Sequence, residues 1–369
     1  MRTIAAVTEA TGAPFVLREV ELEALQPTEV RVCIEATGIC HTDIAHRDGA
    51  ANFPLPAVLG HEGAGVVVAT GEAVTGLSVG DPVVLSYFAC RDCPNCRRQR
   101  PAYCAQAFTG NFAGARPDGT ASIRLDGQGI SSAFFSQSSF ARHAIADARN
   151  VVKVPADLPL RNLGPLGCGF QTGAGAVLNT LDLQAGQSIA VFGAGAVGLA
   201  AIMAAKAAGA GQVIAVDLDD GRLDLAVELG ADRALRGDQP DLAKTIRRAS
   251  RGGVDASVEC VGSSAVLQSA FGALGVGGTA VMPGLPPRGA RVAVDMGNLL
   301  MGRGLVGAIE GDADPQTFIP RLIDLNRCGL IPYERLLRFY PFEAINEAVA
   351  DMEAGRTVKP VLLMLESET

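Results

Sequence analysis

Ser188-Ile-Ala-Val-Phe192-Gly193-Ala-Gly195-Ala-Val-Gly198, running on into Leu199-Ala-Ala-Ile-Met-Ala-Ala205, is the stretch that decides the fold. The 17 residues from Ile189 to Ala205 carry no charge. That is slightly short for a membrane span, and three glycines interrupt it, so it reads as buried strand, turn and helix. The three glycines are spaced G-x-G-x-x-G between an apolar strand and an Ala-rich helix, the context a dinucleotide fingerprint requires. Gly193 permits the tight turn, Gly195 lets a pyrophosphate approach the backbone, and Gly198 lets helix and strand pack closely. The phosphates would sit over the helix N-terminus, beside Val197, where unpaired N–H groups and the helix dipole favour anions.

Working downstream, Gln212–Asp217 reads as the next strand, and Asp217 falls 24 residues after Gly193, where an acid accepts a ribose 2′-hydroxyl. Asp219 and Asp220 follow, so three acids in four residues oppose a 2′-phosphate, and NAD is expected over NADP. Arg222 flanks the adenosine ribose or attracts an extra phosphate. A helical pattern over Gly221–Leu229 and strands at Ala256–Val261 and Thr279–Pro283 continue the alternation, which predicts a parallel sheet covered by helices on both faces.

Upstream, the first ~165 residues read as short strands and turns: Val30–Ile34 alternates at period two, and Gly65–Val68 and Asp81–Leu85 are apolar runs between turn residues. The Gly-, Ser-, Asn- and Phe-rich segment Ala107–Ser139 reads as a long surface excursion. Beyond Gly311 the unit stops repeating. Tyr340–Ala354 reads as an amphipathic helix and Pro360–Leu365 as a terminal strand returning to the first domain. The expected division is 1–172, containing a lobe at 90–104, then 173–309, then the return segment 310–369.

The chain has 369 residues, 48% of them apolar and 19% charged, which fits two globular domains. A formal net charge of −8 argues against a nucleic-acid surface. The first 20 residues contain Glu9, Arg18 and Glu19 and no apolar core of a signal peptide. Nine unevenly spread cysteines fit metal-bound thiolates in a reducing cytoplasm better than a disulfide framework.

Four of the nine, Cys90, Cys93, Cys96 and Cys104, form C-x2-C-x2-C-x7-C, a spacing that closes a tetrahedral shell around structural Zn2+. Cys40, His61 and Cys168 are candidates for a second metal, since catalytic zinc takes three protein ligands and Cys2His is a recognised set. Glu62 stands ready to orient that shell or to ligate transiently. Taken singly, a cysteine is more often a small buried hydrophobe, the reading that fits Cys33, Cys260 and Cys328. Phe53, Phe88, Phe134 and Phe135 lie in segments that could wall an apolar cleft.

Gly38-Ile-Cys40-His41-Thr42-Asp43, Gly60-His61-Glu62-Gly63, the four-cysteine lobe, Gly167-Cys168-Gly169 and Gly193–Gly198 together resemble the medium-chain, zinc-dependent alcohol dehydrogenase family over essentially the whole chain. The resemblance implies an α/β architecture: a GroES-like β-rich catalytic domain plus a Rossmann doubly wound parallel-sheet domain. It implies Cys40, His61 and Cys168 on catalytic zinc with Glu62 beside it, and the other four thiolates on structural zinc, two zinc ions per chain. His41, where many members carry Arg, and Lys359 are expected at the cofactor. Asn111-Phe-Ala-Gly114 and the stretch from Glu310 to Pro320 resemble the microbial aryl-alcohol (benzyl-alcohol) dehydrogenases, a subgroup that includes enzymes for allylic alcohols such as geraniol.

The activity implied is reversible oxidation of a primary aromatic or allylic alcohol to an aldehyde with hydride transfer to NAD. Thr42 is expected to take the proton of a substrate hydroxyl whose acidity bound zinc raises by on the order of 12 kcal/mol. Many members end the proton relay at a His five residues after the first zinc Cys. Here that position is Ala45, and His46 follows it, either as a shifted relay or as an ordinary loop histidine. Other readings are a thiol-adduct (formaldehyde-type) or general alcohol dehydrogenase, and a non-catalytic zinc-ribbon and Rossmann binding protein, to which the cluster Arg91, Arg97, Arg98 and Arg100 lends a basic face. The resemblance further implies a homodimer or homotetramer, paired through the strand Gly304–Ile309, with a small alcohol or aldehyde as its partner and neither nucleic acid nor membrane.

Overall fold

The computed structural model describes residues 1–50 and 53–364, which form two compact units. Among the described residues, one comprises 1–50, 53–168, 314–320 and 334–364, the other 169–313 and 321–333. The boundary falls between Cys168 and Gly169, and 321–333 joins the nucleotide-type unit instead of the return segment expected from sequence.

The second unit is built on six parallel strands in the order 233–236, 212–217, 188–192, 254–259, 274–282, 304–307. This is the doubly wound order 3-2-1-4-5-6, whose reversal point lies between the strands Ser188–Phe192 and Val254–Glu259. Ala190, Phe192, Ile214 and Val216 share a core with Leu242, Ile246, Ala270 and Phe271 of two covering helices. The alternate residues Ile189 and Val191 are also fully buried, on the face of helix Ala196–Ala207. Burial on both faces is why these strands read as unbroken apolar runs.

The first unit holds a five-stranded sheet and a seven-stranded sheet. In the seven-stranded sheet the strand Glu29–Gly38 pairs antiparallel with Gly63–Thr70, with His143–Asp147 and with Lys359–Leu363, so the return of the chain is a sheet insertion. Leu365, the end of the expected terminal strand, lies outside the described residues.

Two expectations need correction. The segment Ala107–Ser139 is a surface excursion only in part: it contains a helix (Ala107–Phe112) and a hairpin (Ile123–Leu125 with Gln128–Ile130), 117–120 and 126–129 are exposed, but every residue from Ser132 to Phe140 is buried. Its Ser, Asn and Gln side chains, which suggest exposure, satisfy buried backbone: Ser138 donates to Val58 O at 2.7 Å and Asn111 accepts from Phe88 N at 2.8 Å. Tyr340–Ala354 is not one helix. Leu337–Pro341 is a strand and the helix is Ile345–Glu353, because Pro341 breaks helical continuity.

The entry of this segment is pinned by Arg116, whose Nε and one terminal nitrogen donate to Glu29 Oε1 at 2.7 Å and Oε2 at 2.8 Å with both side chains buried. Removing one partner leaves the other charge buried and alone. Arg116→Ala is expected to lower the unfolding free energy by about 3–5 kcal/mol, and the double change Arg116→Met with Glu29→Leu by much less. Urea unfolding of the three proteins measures both.

Candidate active site

Cys40 caps the seven-residue helix His41–Arg47. A helix this short is unstable alone, and here Asp43 closes a capping box: its Oδ2 accepts from Cys40 N at 2.9 Å. Asp43 Oδ1 accepts from Gly60 N at 3.2 Å and from His61 Nδ1 at 2.7 Å. One buried carboxylate therefore joins two ligand-bearing segments and fixes the proton of His61 on Nδ1. His61 Nε2 is left buried without a hydrogen-bond partner. Ligand atoms of Cys40, His61, Glu62 and Cys168 all lie within 4.8 Å of one another. Two thiols and an orphaned imidazole lone pair fit a three-ligand catalytic zinc. The hydrogen bond with Cys168 holds the Cys40 thiol well below its ordinary value against the opposing effect of burial.

Glu62 does not stand alone beside this set. Lys359 Nζ donates to its two oxygens at 2.9 and 3.0 Å and to Ile39 O at 3.1 Å. Burial works against the Lys359 charge, but Glu62 and Cys40 outweigh it and keep the ammonium charged. All three donors of Lys359 are used within the first unit. Gly38 makes room for this carboxylate, since a Cβ there would lie 1.9 Å from Glu62 Oε2.

Thr42 is the second residue of the same helix, partly exposed, with its hydroxyl 3.7 Å from Cys40 Sγ; His41 beside it is exposed. His46 is buried and donates Nδ1–H to Thr42 O at 2.7 Å, a carbonyl that cannot pass a proton on. Its ring stacks on Phe112 at 5.4 Å and meets Phe134 at 4.8 Å and Phe53 at 5.9 Å edge-on. Burial pushes its pKa below the usual imidazole value. Phe135 stacks on His61 with centroids 4.3 Å apart. Phe53, Phe134 and Phe135 thus come together around the two histidines, joined by Phe112. Phe88 does not join them: it lies under Gly110 and the Arg149 guanidinium.

The lobe gathers Cys90, Cys93, Cys96 and Cys104 with their sulfurs within 4.8 Å of one another. Two sulfur pairs at 3.5 and 3.9 Å bracket the ~3.8 Å edge of a zinc–thiolate tetrahedron. Backbone N–H groups of Cys90, Asp92, Cys93, Ala105 and Gln106 point at these sulfurs. They favour thiolate: the N–H of Ala105 leads in lowering Cys93 to about 6. Arg91 pairs with Asp314, Arg97 pairs with Asp92, and Arg100 stacks on Tyr103, so the basic cluster is largely engaged locally.

In the second unit Gly193 is left-handed (φ 91°) and a Cβ on Gly198 would lie 1.7 Å from Gly193 O. A Cβ on Gly195 would meet nothing within 4 Å. Open space over a helix N-terminus fits a pyrophosphate. Asp217 accepts from Ala194 N at 2.5 Å, Leu218 N at 2.7 Å and Asp219 N at 3.0 Å, clamping the glycine loop and leaving part of its acceptor capacity unused. Asp219 caps the next helix, its Oδ1 accepting from the backbone N–H of Arg222 at 2.8 Å, and the Arg222 Nε is buried without a hydrogen-bond partner.

Sequence reading missed Asp43 as the organiser, although its place three residues after Cys40 is the capping-box signal. It also missed Phe112 as part of the aromatic wall.

Residues 26–156 match the family described as alcohol dehydrogenase GroES-like domain, and residues 196–325 match that described as zinc-binding dehydrogenase. The chain is 45% identical over 362 residues to the geraniol dehydrogenase of Castellaniella defragrans, covering 97% of each protein. A zinc-binding-domain alcohol dehydrogenase from Burkholderia ambifaria superposes with a TM-score of 0.97 at 48% identity, over 99% of this chain and 100% of that one. Benzyl alcohol dehydrogenase from Acinetobacter calcoaceticus superposes with a TM-score of 0.96 at 43% identity over the same shares.

If Asp43 orients the imidazole, Asp43→Ala should weaken metal binding at the Cys40 set by about 10–100-fold while the lobe keeps its metal. Competition with a chelator, counted per chain, reads this directly; an unchanged affinity would remove Asp43 from the role.

Proposed function

The chain belongs to the medium-chain zinc-dependent alcohol dehydrogenase family, and on that premise we propose that it oxidises primary aromatic or allylic alcohols to aldehydes, with NAD preferred over NADP. The enzyme is an alcohol dehydrogenase that uses zinc and a nicotinamide cofactor on a small-molecule alcohol. The finer reading rests chiefly on one observation: Phe53, Phe112, Phe134 and Phe135 are gathered around His46 and His61, next to the Cys40 ligand set. A flat unsaturated substituent fits such a wall, and relatives named for geraniol and benzyl alcohol support the same choice.

In this reading Cys40, His61 and Cys168 hold one zinc, and Cys90, Cys93, Cys96 and Cys104 hold a second. Zinc bound at the first set supplies Lewis acidity that lowers the pKa of an alcohol hydroxyl. The Thr42 hydroxyl, partly exposed beside Cys40, would be the group that takes the released proton. Glu62, held by Lys359, keeps a negative charge beside the ligands without solvating them. His46 braces Thr42 through its carbonyl instead of carrying the proton onward. The Gly193–Gly198 loop would hold the pyrophosphate of a bound nicotinamide cofactor, and Asp217 would take the adenosine ribose while opposing a 2′-phosphate; His41, exposed on the first unit, is the residue expected from sequence to add a pyrophosphate contact. The edge strand Gly304–Gly307, with Val306 and Ile309 exposed nearby, supports a homo-oligomer. The thiolate demand of both metal sets supports a reducing, cytoplasmic setting.

Three outcomes are expected. Steady-state kinetics should give at least tenfold higher kcat/KM for benzyl alcohol or geraniol than for ethanol, since each methylene-sized contact contributes roughly 1–3 kcal/mol; parity rejects the aromatic wall. Thr42→Val should retain both zinc ions and lose about 10²–10⁴-fold in turnover; wild-type turnover would take Thr42 out of the relay. Asp217→Gly should raise the NADP/NAD ratio of kcat/KM, and an unmoved ratio would leave cofactor choice to other residues.

A further inference from the structure

We propose that Gln137 and Ser86 are positioning residues that hold Cys168 in register with His61, as Asp43 does for Cys40 and His61; this rests on the reading of those residues as one metal site. The observation begins with backbone conformation. Ala133, Phe135, Ser136 and Ser138 have φ between 50° and 57°. Left-handed backbone is disfavoured for residues that carry a Cβ, and it clusters at functional sites where the surroundings over-determine it. Four such residues in six need something that holds them there.

That segment delivers Gln137, 1% exposed, into the site. Its Nε2 donates to His61 O at 3.0 Å and to Ser86 O at 3.1 Å, and its Oε1 accepts from Gly63 N at 3.2 Å. One carboxamide thus brackets His61-Glu62-Gly63 from both sides and ties it to Ser86. Ser86, fully buried, donates its hydroxyl to Gly167 O at 2.6 Å, directly before Cys168. Asn150 Nδ2 donates to the same Ser86 carbonyl at 3.1 Å. Gly167 itself has no room for a side chain, because a Cβ would lie 2.1 Å from Leu85 O. The path from His61 through Gln137 and Ser86 to Gly167 therefore joins two ligands that the sequence separates widely. Asp43 makes the other connection, from Cys40 to His61. With both, each of the three ligand segments is referred to its neighbours through short hydrogen bonds, and the supporting groups of a metal site set its affinity as well as its geometry.

The test uses full-length zinc-loaded protein and follows metal release to a chelator, with Cys168→Ser and Cys93→Ser identifying which phase belongs to which site. Ser86→Ala and Gln137→Met should each speed release from the Cys168 site by about tenfold or more and leave the lobe phase unchanged. Ser86→Thr, which restores the hydroxyl, should release like wild type. In cobalt-substituted protein the sulfur-to-metal charge-transfer band of this site should shift in Ser86→Ala, a change that general loosening of the fold would not single out. Release that is unchanged, or that accelerates equally at both sites, overturns the proposal. Should Gln137→Met not fold, Ser86→Ala carries the decision, since it deletes one oxygen. A wild-type protein without any Cys168-dependent metal would sink the metal-site reading together with the strut, an outcome distinct from a strut that fails at an intact site.

Discussion

The Asp43 carboxylate is the constraint on which the rest of the first unit depends. It is fully buried, where an ionised group is costly unless its lone pairs are satisfied. Three donors satisfy it: the N–H groups of Cys40 and Gly60 and the Nδ1–H of His61. Each bond does something different. The first starts the helix that presents His41 and Thr42. The second holds the turn at Gly60, whose positive φ of 90° lets the backbone pass Phe140. The third selects the tautomer that turns the Nε2 lone pair toward the two sulfurs.

The two thiol-rich sites are stabilised by different physics. The lobe is local, with its four cysteines inside 15 residues, and its sulfurs are met by backbone N–H groups from the same loop. It can therefore organise with little help from the remainder of the chain. The other set is assembled over long range, from residues 40, 61 and 168, by side chains that are themselves buried: Asp43, Gln137, Ser86 and Lys359. Dry surroundings strengthen each of these hydrogen bonds and make each missing partner expensive.

What was legible in the sequence follows that difference. Short-range signals were readable: the glycine fingerprint after an apolar strand, the C-x2-C-x2-C-x7-C spacing, and Asp217 at the end of the next strand. The ligands Cys40, His61 and Cys168 were nameable because flanking motifs mark them. Composition misled at 107–139, since Ser, Gln and Asn satisfy buried backbone as readily as they meet water. Partnership was the part that could not be read. Nothing local to Lys359 says that its ammonium ends on Glu62, nor does any spacing tell that Gln137 reaches His61, because both contacts exist only after the sheet closes. Phe88 shows the converse, an aromatic near the lobe that belongs to the packing around Arg149 and Gly110.

The insertion of Lys359–Leu363 beside Glu29–Gly38 has a consequence for biosynthesis. As the polypeptide leaves the ribosome, Glu62 is made almost 300 residues before the ammonium that neutralises it. The intervening nucleotide-type unit contains all six of its strands by residue 307 and is free to fold first. The first unit must meanwhile wait, its seven-stranded sheet lacking both Lys359–Leu363 and the strand Leu337–Pro341 that pairs with it, and an acidic side chain uncompensated, until residue 359 and those after it have been made. Nascent chains therefore pass through a stage with a finished nucleotide half and an exposed sheet edge, the kind of intermediate that chaperones shelter from premature association.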